Sequence, residues 1–179
     1  MNAPASLIIN SAFSEPAQHW AENPDRTLRI EPGRRPAGYE IIDTRENTRR
    51  TVSLPLVDGI RGRVKRWREA GYPGATEITR ELLRHWWDDE GHSRRPYRFY
   101  FCQLEAAETL MWHVEAAPEF HQGVNVPGDG GPFERLCNKM ATGTGKTTVM
   151  AMIVTWQVLN ALTYPKRNKH FSLSVGHQP

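Results

Sequence analysis

A glycine-rich heptapeptide constrains this chain more than any other feature of its sequence. Residues 141–147 read Ala-Thr-Gly-Thr-Gly-Lys-Thr and lead into an apolar run. Gly143 and Gly145 allow the backbone to curl so that successive N–H groups point at one anion. Lys146 brings a positive charge to the β- and γ-phosphates, and the Thr147 hydroxyl is suited to bind Mg²⁺. The pattern therefore predicts a phosphate-binding loop at the N-terminus of a helix.

The motif departs from the complete phosphate-loop pattern at one position. Met140 stands six residues before the lysine, where the full pattern has glycine. The flanking sequence still fits, because residues 136–140 form a moderately apolar run that can be a strand. Beyond the loop, apolar residues recur at the spacing of a buried helix face: Met150, Ile153, Val154, Val158 and Leu162. The alternative is a glycine-threonine turn that caps an ordinary core helix.

The length of the chain fits one ordinary domain, and its composition shows no strong signal for a metal site, secretion or a membrane span. The chain has 179 residues and a net charge of +3, which permits a nucleic-acid partner without establishing one. Cys102 and Cys137 lie far apart without metal-ligand spacing, and the histidines are not paired, so we expect no zinc site. We expect a cytoplasmic protein without a secretion signal, since few cysteines favour a reducing compartment. The apolar stretch 149–164 is too short to span a bilayer.

Short strands and then helices are expected before the loop. The proline-containing residues 1–25 are predicted to be irregular. The alternation of apolar and polar residues predicts strands at 27–30, 39–43 and 51–56. The helices are predicted from capping residues and apolar spacing: one from Asp58 to Gly71, one over 76–89 and one over 103–116. The glycine- and proline-rich residues 122–132 are predicted to form a loop.

Four segments carry a resemblance to a known family. Residues 140–148 resemble motif I of superfamily 2 helicases, in which the first glycine is commonly replaced, as at Met140. Residues 98–110 (Arg-Phe-Tyr-Phe-Cys-Gln-Leu-Glu-Ala-Ala-Glu-Thr-Leu) resemble the Q-motif-like entry of the restriction-enzyme branch. Together with residues 10–16 and 128–131, the chain resembles the N-terminal part of a type III restriction endonuclease Res-like subunit of the DEAD/DEAH-box helicase family.

The resemblance implies an α/β fold. A mixed α+β N-terminal accessory region would occupy residues 1–95, and an incomplete P-loop NTPase (RecA-like) domain would begin at residue 96 and stop after motif I. Residues 172–179 do not resemble the family's next strand, so we hypothesise a frameshift or premature stop there.

The implied function is that of an ATP-hydrolysing helicase or translocase that moves on double-stranded DNA and licenses endonucleolytic cleavage. A methyltransferase subunit is the implied partner. Since the acidic motif that completes Mg²⁺ binding would lie beyond this chain, we expect the isolated polypeptide to hydrolyse ATP negligibly. Two alternatives remain: a non-catalytic remnant or module that binds nucleotide or DNA, and another P-loop class such as a small-molecule kinase.

The same resemblance assigns roles to individual residues. Lys146 would be the catalytic cation, and Thr147 would hold Mg²⁺. Gln103 would read adenine, because its amide can both donate and accept hydrogen bonds. The alternative for Gln103 is a solvated residue at a helix N-terminus. The residues implied to contact the phosphates and Mg²⁺ of ATP are Gly143, Thr144, Gly145, Lys146, Thr147 and Thr148.

Basic and aromatic groups offer further candidate contacts with DNA, for which solvated faces and core packing are the ordinary alternatives. One basic group shares a predicted helix face: Arg61, Lys65 and Arg68. A second group comprises Arg94, Arg95 and Arg98. The aromatic candidates for stacking on DNA bases are Trp86, Trp87 and Trp112, and one of residues 99–101 could stack on the base of a bound nucleotide; we expect all of them in the core.

Overall fold

The computed structural model describes residues 7–46, 48–87, 97–128, 130–131 and 136–165. These residues form a mixed α and β structure with two small antiparallel sheets and four α-helices. Two compact units divide between Gly59 and Ile60. The boundary predicted between residues 95 and 96 separates functional regions and stays a prediction.

The first unit begins with an antiparallel hairpin. β1, Gln18–Glu22, pairs with β2, Leu28–Pro32, so that Trp20 lies opposite Ile30. Arg26 adopts a left-handed conformation in the connecting turn, with φ of 65°. The prediction that residues 1–25 are irregular was wrong for β1, because this strand is specified by its pairing with β2 rather than by a pattern of its own.

A second hairpin joins β3, Gly38–Asp43, to β4, Thr48–Ser53. Its first strand was predicted within one residue. The second strand was predicted to continue to residue 56, but it ends at Ser53 because Pro55 begins the next helix. Proline suits the first helical position, since its fixed φ is helical and its missing N–H has no helical partner there.

The first helix, α1, is Pro55–Glu69 and contains the division between the units. Asp58 was predicted to cap it, but this residue lies within the first turn. Its carboxylate instead accepts a hydrogen bond from the N–H of Ala37, with oxygens at 2.9 and 3.0 Å. Val64 and Trp67 form the buried face of α1.

The second unit adds three helices: α2 is Glu77–Trp87, α3 is Phe101–Glu115 and α4 is Lys146–Thr163. Thr76 caps α2, because its hydroxyl oxygen accepts a hydrogen bond from the N–H of Thr79 at 3.1 Å. The starts of α2 and α3 agree with prediction within two residues. The predicted end of α2 at residue 89 lies outside the described residues, as do Asp88 to Pro96 as a whole.

Large apolar side chains from all four helices fill the core of the second unit. Trp86 and Trp112 are buried in it and Trp87 packs against it, which confirms the expected core role of these aromatics. The other principal members are Val64, Trp67, Leu83, Leu104, Met111, Met152 and Trp156.

A polar cluster lies within this core where α2, α3 and α4 meet. The carboxylate of Glu115 accepts hydrogen bonds from the Thr76 N–H at 2.7 Å and the Thr79 hydroxyl at 2.6 Å. It also accepts one from the Trp156 indole N–H at 2.7 Å. Asn160, which is fully buried, connects the same two threonines to α4. These bonds fix which face of α4 is turned inward.

The buried face of α4 differs from the predicted one. The structure buries Val149, Met152, Trp156, Asn160 and Ala161. The predicted stripe is largely exposed instead: Met150 by 64%, Val154 by 60% and Leu162 by 66%. Because α4 is apolar on several faces, spacing alone could not select one. The buried face is instead determined by Trp156 and Asn160, whose side chains bond within the polar cluster.

The strand predicted immediately before the glycine-rich loop is absent. Residues 136–140 form neither helix nor strand and are largely exposed. A strand needs a neighbour for its N–H and C=O groups, and the described residues pair no strand with this segment. In the described structure both sheets are antiparallel two-stranded hairpins.

Candidate phosphate-binding site

The glycine-rich loop has the backbone conformation that its sequence predicts. Gly143 and Gly145 are left-handed, with φ of 80° and 78°, a conformation that residues with a Cβ rarely adopt. Gly145 is the N-cap of α4, and Lys146 is its first residue. The predicted sequence of glycine-rich turn and helix is therefore confirmed.

The loop presents a row of backbone donors. The N–H groups of residues 143–147 form no hydrogen bond with any residue in the described part of the chain. Pairing begins at Thr148 and Val149, whose N–H groups donate to the carbonyl of Gly145 at 3.0 and 3.3 Å. α4 is 18 residues long and has no acidic side chain in its first turn. Its positive N-terminal end adds to the attraction for an anion.

Side chains of the loop add charge and hydroxyl groups. Lys146 is exposed, and its Nζ donates to the carbonyl of Ala141 at 2.8 Å, so the ammonium lies beside the loop. The Thr144 hydroxyl donates to the same carbonyl at 2.7 Å. Thr147 is exposed, while Thr148 is half-buried. The structure thus brings together all six predicted loop residues.

Gln103 lies against the loop although it precedes it by 41 positions. Its Nε2 donates to the Thr144 carbonyl at 3.0 Å, and its Oε1 accepts from the Tyr100 N–H at 2.9 Å. The residue is only 5% exposed. The left-handed φ of Gly145 favours glycine there, and a Cβ at this position would also displace the Nε2 of Gln103 from its contact with the loop.

Asn138 provides a second connection that the sequence did not reveal. Its Nδ2 donates to the Ala106 carbonyl on α3 at 3.0 Å. An asparagine before a glycine-rich turn reads as an ordinary polar residue, and no local pattern marks it. The loop is therefore joined to the first two turns of α3 on both of its sides.

The available groups fit a phosphate ligand. Amide N–H groups and one ammonium are donors suited to phosphate oxygens. Within the described ranges, no group of three or more histidine, cysteine, aspartate or glutamate residues could hold a metal ion. Mg²⁺ typically takes most of its ligands from phosphates and water, so one hydroxyl at Thr147 suits it.

No family model, curated protein or solved structure matches the chain. None of the helices in the described ranges is long and apolar enough to cross a membrane.

The basic face predicted on α1 is not intact. Arg68 turns toward α3, where its Nε donates to Oε1 of Glu108 at 2.7 Å, and its guanidinium lies 4.1 Å from the ring centre of Trp87. Its charge is therefore paired within the fold. The second basic group is only partly described, because Arg94 and Arg95 lie outside the described residues.

The aromatic run before Gln103 packs mainly into the protein. Phe101 is 6% exposed and meets Trp87 edge-on, with 5.9 Å between ring centroids. Phe99 is partly buried against the core. These contacts confirm the expected core role for Phe99 and Phe101, whereas the expectation was wrong for Tyr100, which is 40% exposed. The phosphate loop remains the principal candidate site.

Proposed function

We propose that this chain binds a nucleoside triphosphate with Mg²⁺ through residues 141–148, as the ATP-binding part of a DNA-dependent motor of the restriction-endonuclease type. One observation carries the proposal. Five consecutive N–H groups, at residues 143–147, have no partner among the described residues and lie at the start of a long helix beside the Lys146 ammonium.

An ordinary capping turn accounts less well for these features. Such a turn satisfies the first N–H groups of its helix with a side chain, whereas α4 has glycine at its N-cap and no side-chain cap. Unpaired donors cost free energy unless water or a ligand satisfies them. Left-handed residues are typical of anion nests, and Gly143 and Gly145 are both left-handed.

The residues would act chiefly by positioning. The amides of 143–147 would hold the β-phosphate, and Lys146 would leave Ala141 to reach the γ-phosphate oxygens. Thr147 would hold Mg²⁺, which when bound neutralises charge on the β- and γ-phosphates. Positioning and charge neutralisation are what phosphoryl transfer requires of a protein.

We propose the motor function, in addition to nucleotide binding, from the family resemblance. It comprises ATP hydrolysis, translocation on double-stranded DNA and a methyltransferase partner. A RecA-like domain would cover α4 with a parallel sheet, and the exposed apolar residues Met150, Val154 and Leu162 supply a surface of the kind that a sheet buries.

The test is titration calorimetry of the folded chain with ATP and Mg²⁺. We expect Lys146→Ala to weaken binding about ten-fold or more, as the loss of a charged hydrogen bond implies. Lys139→Ala removes another exposed lysine shortly before the loop and should leave the affinity unchanged. Absence of binding by the folded wild-type chain, or equal binding by Lys146→Ala, would overturn the proposal.

A further inference from the structure

We infer that Gln103 and Asn138 are positioning residues that hold the phosphate loop against α3, and that Gln103 does not read the base. We therefore expect Gln103 to support the binding of triphosphate ligands alike, whatever base they carry. This inference rests on the proposed function, because it concerns how the same loop takes its ligand.

The orientation of the Gln103 amide is fixed by two backbone partners. The Tyr100 N–H can only donate and the Thr144 carbonyl can only accept, so Oε1 faces the first and Nε2 faces the second. One N–H and one lone pair remain in principle. A side chain that is 5% exposed offers them little access to an adenine edge.

The contact of Gln103 is with the part of the loop that would face phosphate. Thr144, whose carbonyl it holds, lies between the two left-handed glycines. The amide also occupies the space beside Gly145 that a Cβ would fill. Gln103 therefore restrains the peptide units that set the direction of the loop N–H groups.

Asn138 restrains the other side of the loop. It donates to Ala106, one helical turn beyond Gln103 on the same helix. The glycine-rich segment between Asn138 and Thr144 is thus attached to one rigid helix at both ends. Holding a loop in its binding conformation lowers the ordering cost of binding, whatever base the ligand carries.

The decisive measurement compares three ligands, each with Mg²⁺: ATP, GTP and inorganic tripolyphosphate, which has no base. Gln103→Met keeps the side-chain volume but removes both hydrogen bonds. We expect it to weaken binding of all three ligands by the same factor, about five-fold, as for one or two lost neutral hydrogen bonds. Asn138→Leu should weaken all three about two-fold, because Asn138 is exposed and its bond is worth less.

Two further variants separate positioning from loss of fold. Gln103→Glu keeps an acceptor for the Tyr100 N–H, so α3 stays capped while the donor to Thr144 is lost. It should weaken binding of all three ligands at least as much as Gln103→Met does, because the new carboxylate also repels the phosphates. Gln157→Met makes the same chemical change on α4, three turns from the loop, and should alter none of the affinities. Circular dichroism on each variant shows that the fold is retained.

The outcomes are distinct. If Gln103→Met weakens ATP binding while GTP and tripolyphosphate bind as before, Gln103 reads the base and the inference is wrong. If none of the three affinities changes although binding depends on Lys146, the inference fails and the proposed function stands. If the folded wild-type chain binds none of the ligands, the proposed function itself fails.

Discussion

Arg68 on α1 and Glu108 on α3 form an ion pair whose acidic member is completely buried, with 2.7 Å between Nε and Oε1. The Tyr72 hydroxyl donates to the same Oε1 at 3.1 Å. Burial raises the pKa of Glu108, and the contacts with Arg68 and Tyr72 oppose that rise. The pair joins α1 to the helix that carries Gln103.

Arg68→Ala should strongly destabilise the second unit. The substitution leaves the Glu108 carboxyl buried without its charged partner, which typically costs about 3 kcal/mol or more. Urea unfolding followed by tryptophan fluorescence measures the change. Arg84→Ala is the matched control, since Arg84 and its partner Glu77 are both exposed and the midpoint should hardly move. Equal midpoints for the two variants would contradict the structural role of the buried pair.

Glu115→Ala should destabilise the junction of α2, α3 and α4. Three donors, on Thr76, Thr79 and Trp156, would lose their common acceptor. We expect a loss of about 3 kcal/mol in the free energy of unfolding, as for several buried donors left unsatisfied. Glu119→Ala, at an exposed position shortly after α3, should be neutral in the same chemical denaturation experiment.

Two methionines on α4 test which face of the helix is buried. Met152 is 4% exposed and Met150 is 64% exposed. Met152→Ala should cost about 2–4 kcal/mol through lost burial and the cavity left behind. Met150→Ala should change the stability by less than about 0.5 kcal/mol. The reverse order of effects would show that the sequence-predicted face is the buried one.

His121 should make stability depend on pH. Its ring stacks on Trp112 with 4.5 Å between centroids, and burial, followed by the charge of nearby His113, lowers its pKa. The folded state therefore favours neutral His121. The stability that neutral His121 contributes is fully present above pH 6.5, the ordinary pKa of histidine. It is lost as the pH falls from 6.5 through the lowered pKa of the folded state.

The comparison for this prediction is His121→Phe, which keeps an aromatic ring on Trp112 but cannot titrate. Thermal unfolding measured between about pH 7 and pH 5 should show a shallower loss of stability in this variant than in the wild-type chain. Identical slopes would show that His121 is not the titrating group.

The local signals in the sequence were sufficient for several elements. Capping residues and apolar spacing placed α2 and α3 within two residues at their starts, although only α2 has a single strongly apolar face and α3 is buried on several faces. The left-handed conformation of the loop glycines was predicted correctly, since it depends on the residue type at each single position. α4 was placed as a helix, but its buried face was not, because its residues are apolar all round.

The sequence by itself determined that a left-handed glycine turn opens α4 and places a lysine and a threonine at its first positions. These features depend on backbone sterics over a few neighbouring residues. Only the tertiary structure decided that Gln103 and Asn138 hold that turn. It also decided that Arg68 pairs with Glu108 instead of adding to a basic surface. Finally, it decided that the face of α4 with Trp156 and Asn160 is the buried one. Each of these depends on side chains that are distant in the chain and meet only after the helices pack, because hydrogen bonding and burial act between neighbours in space.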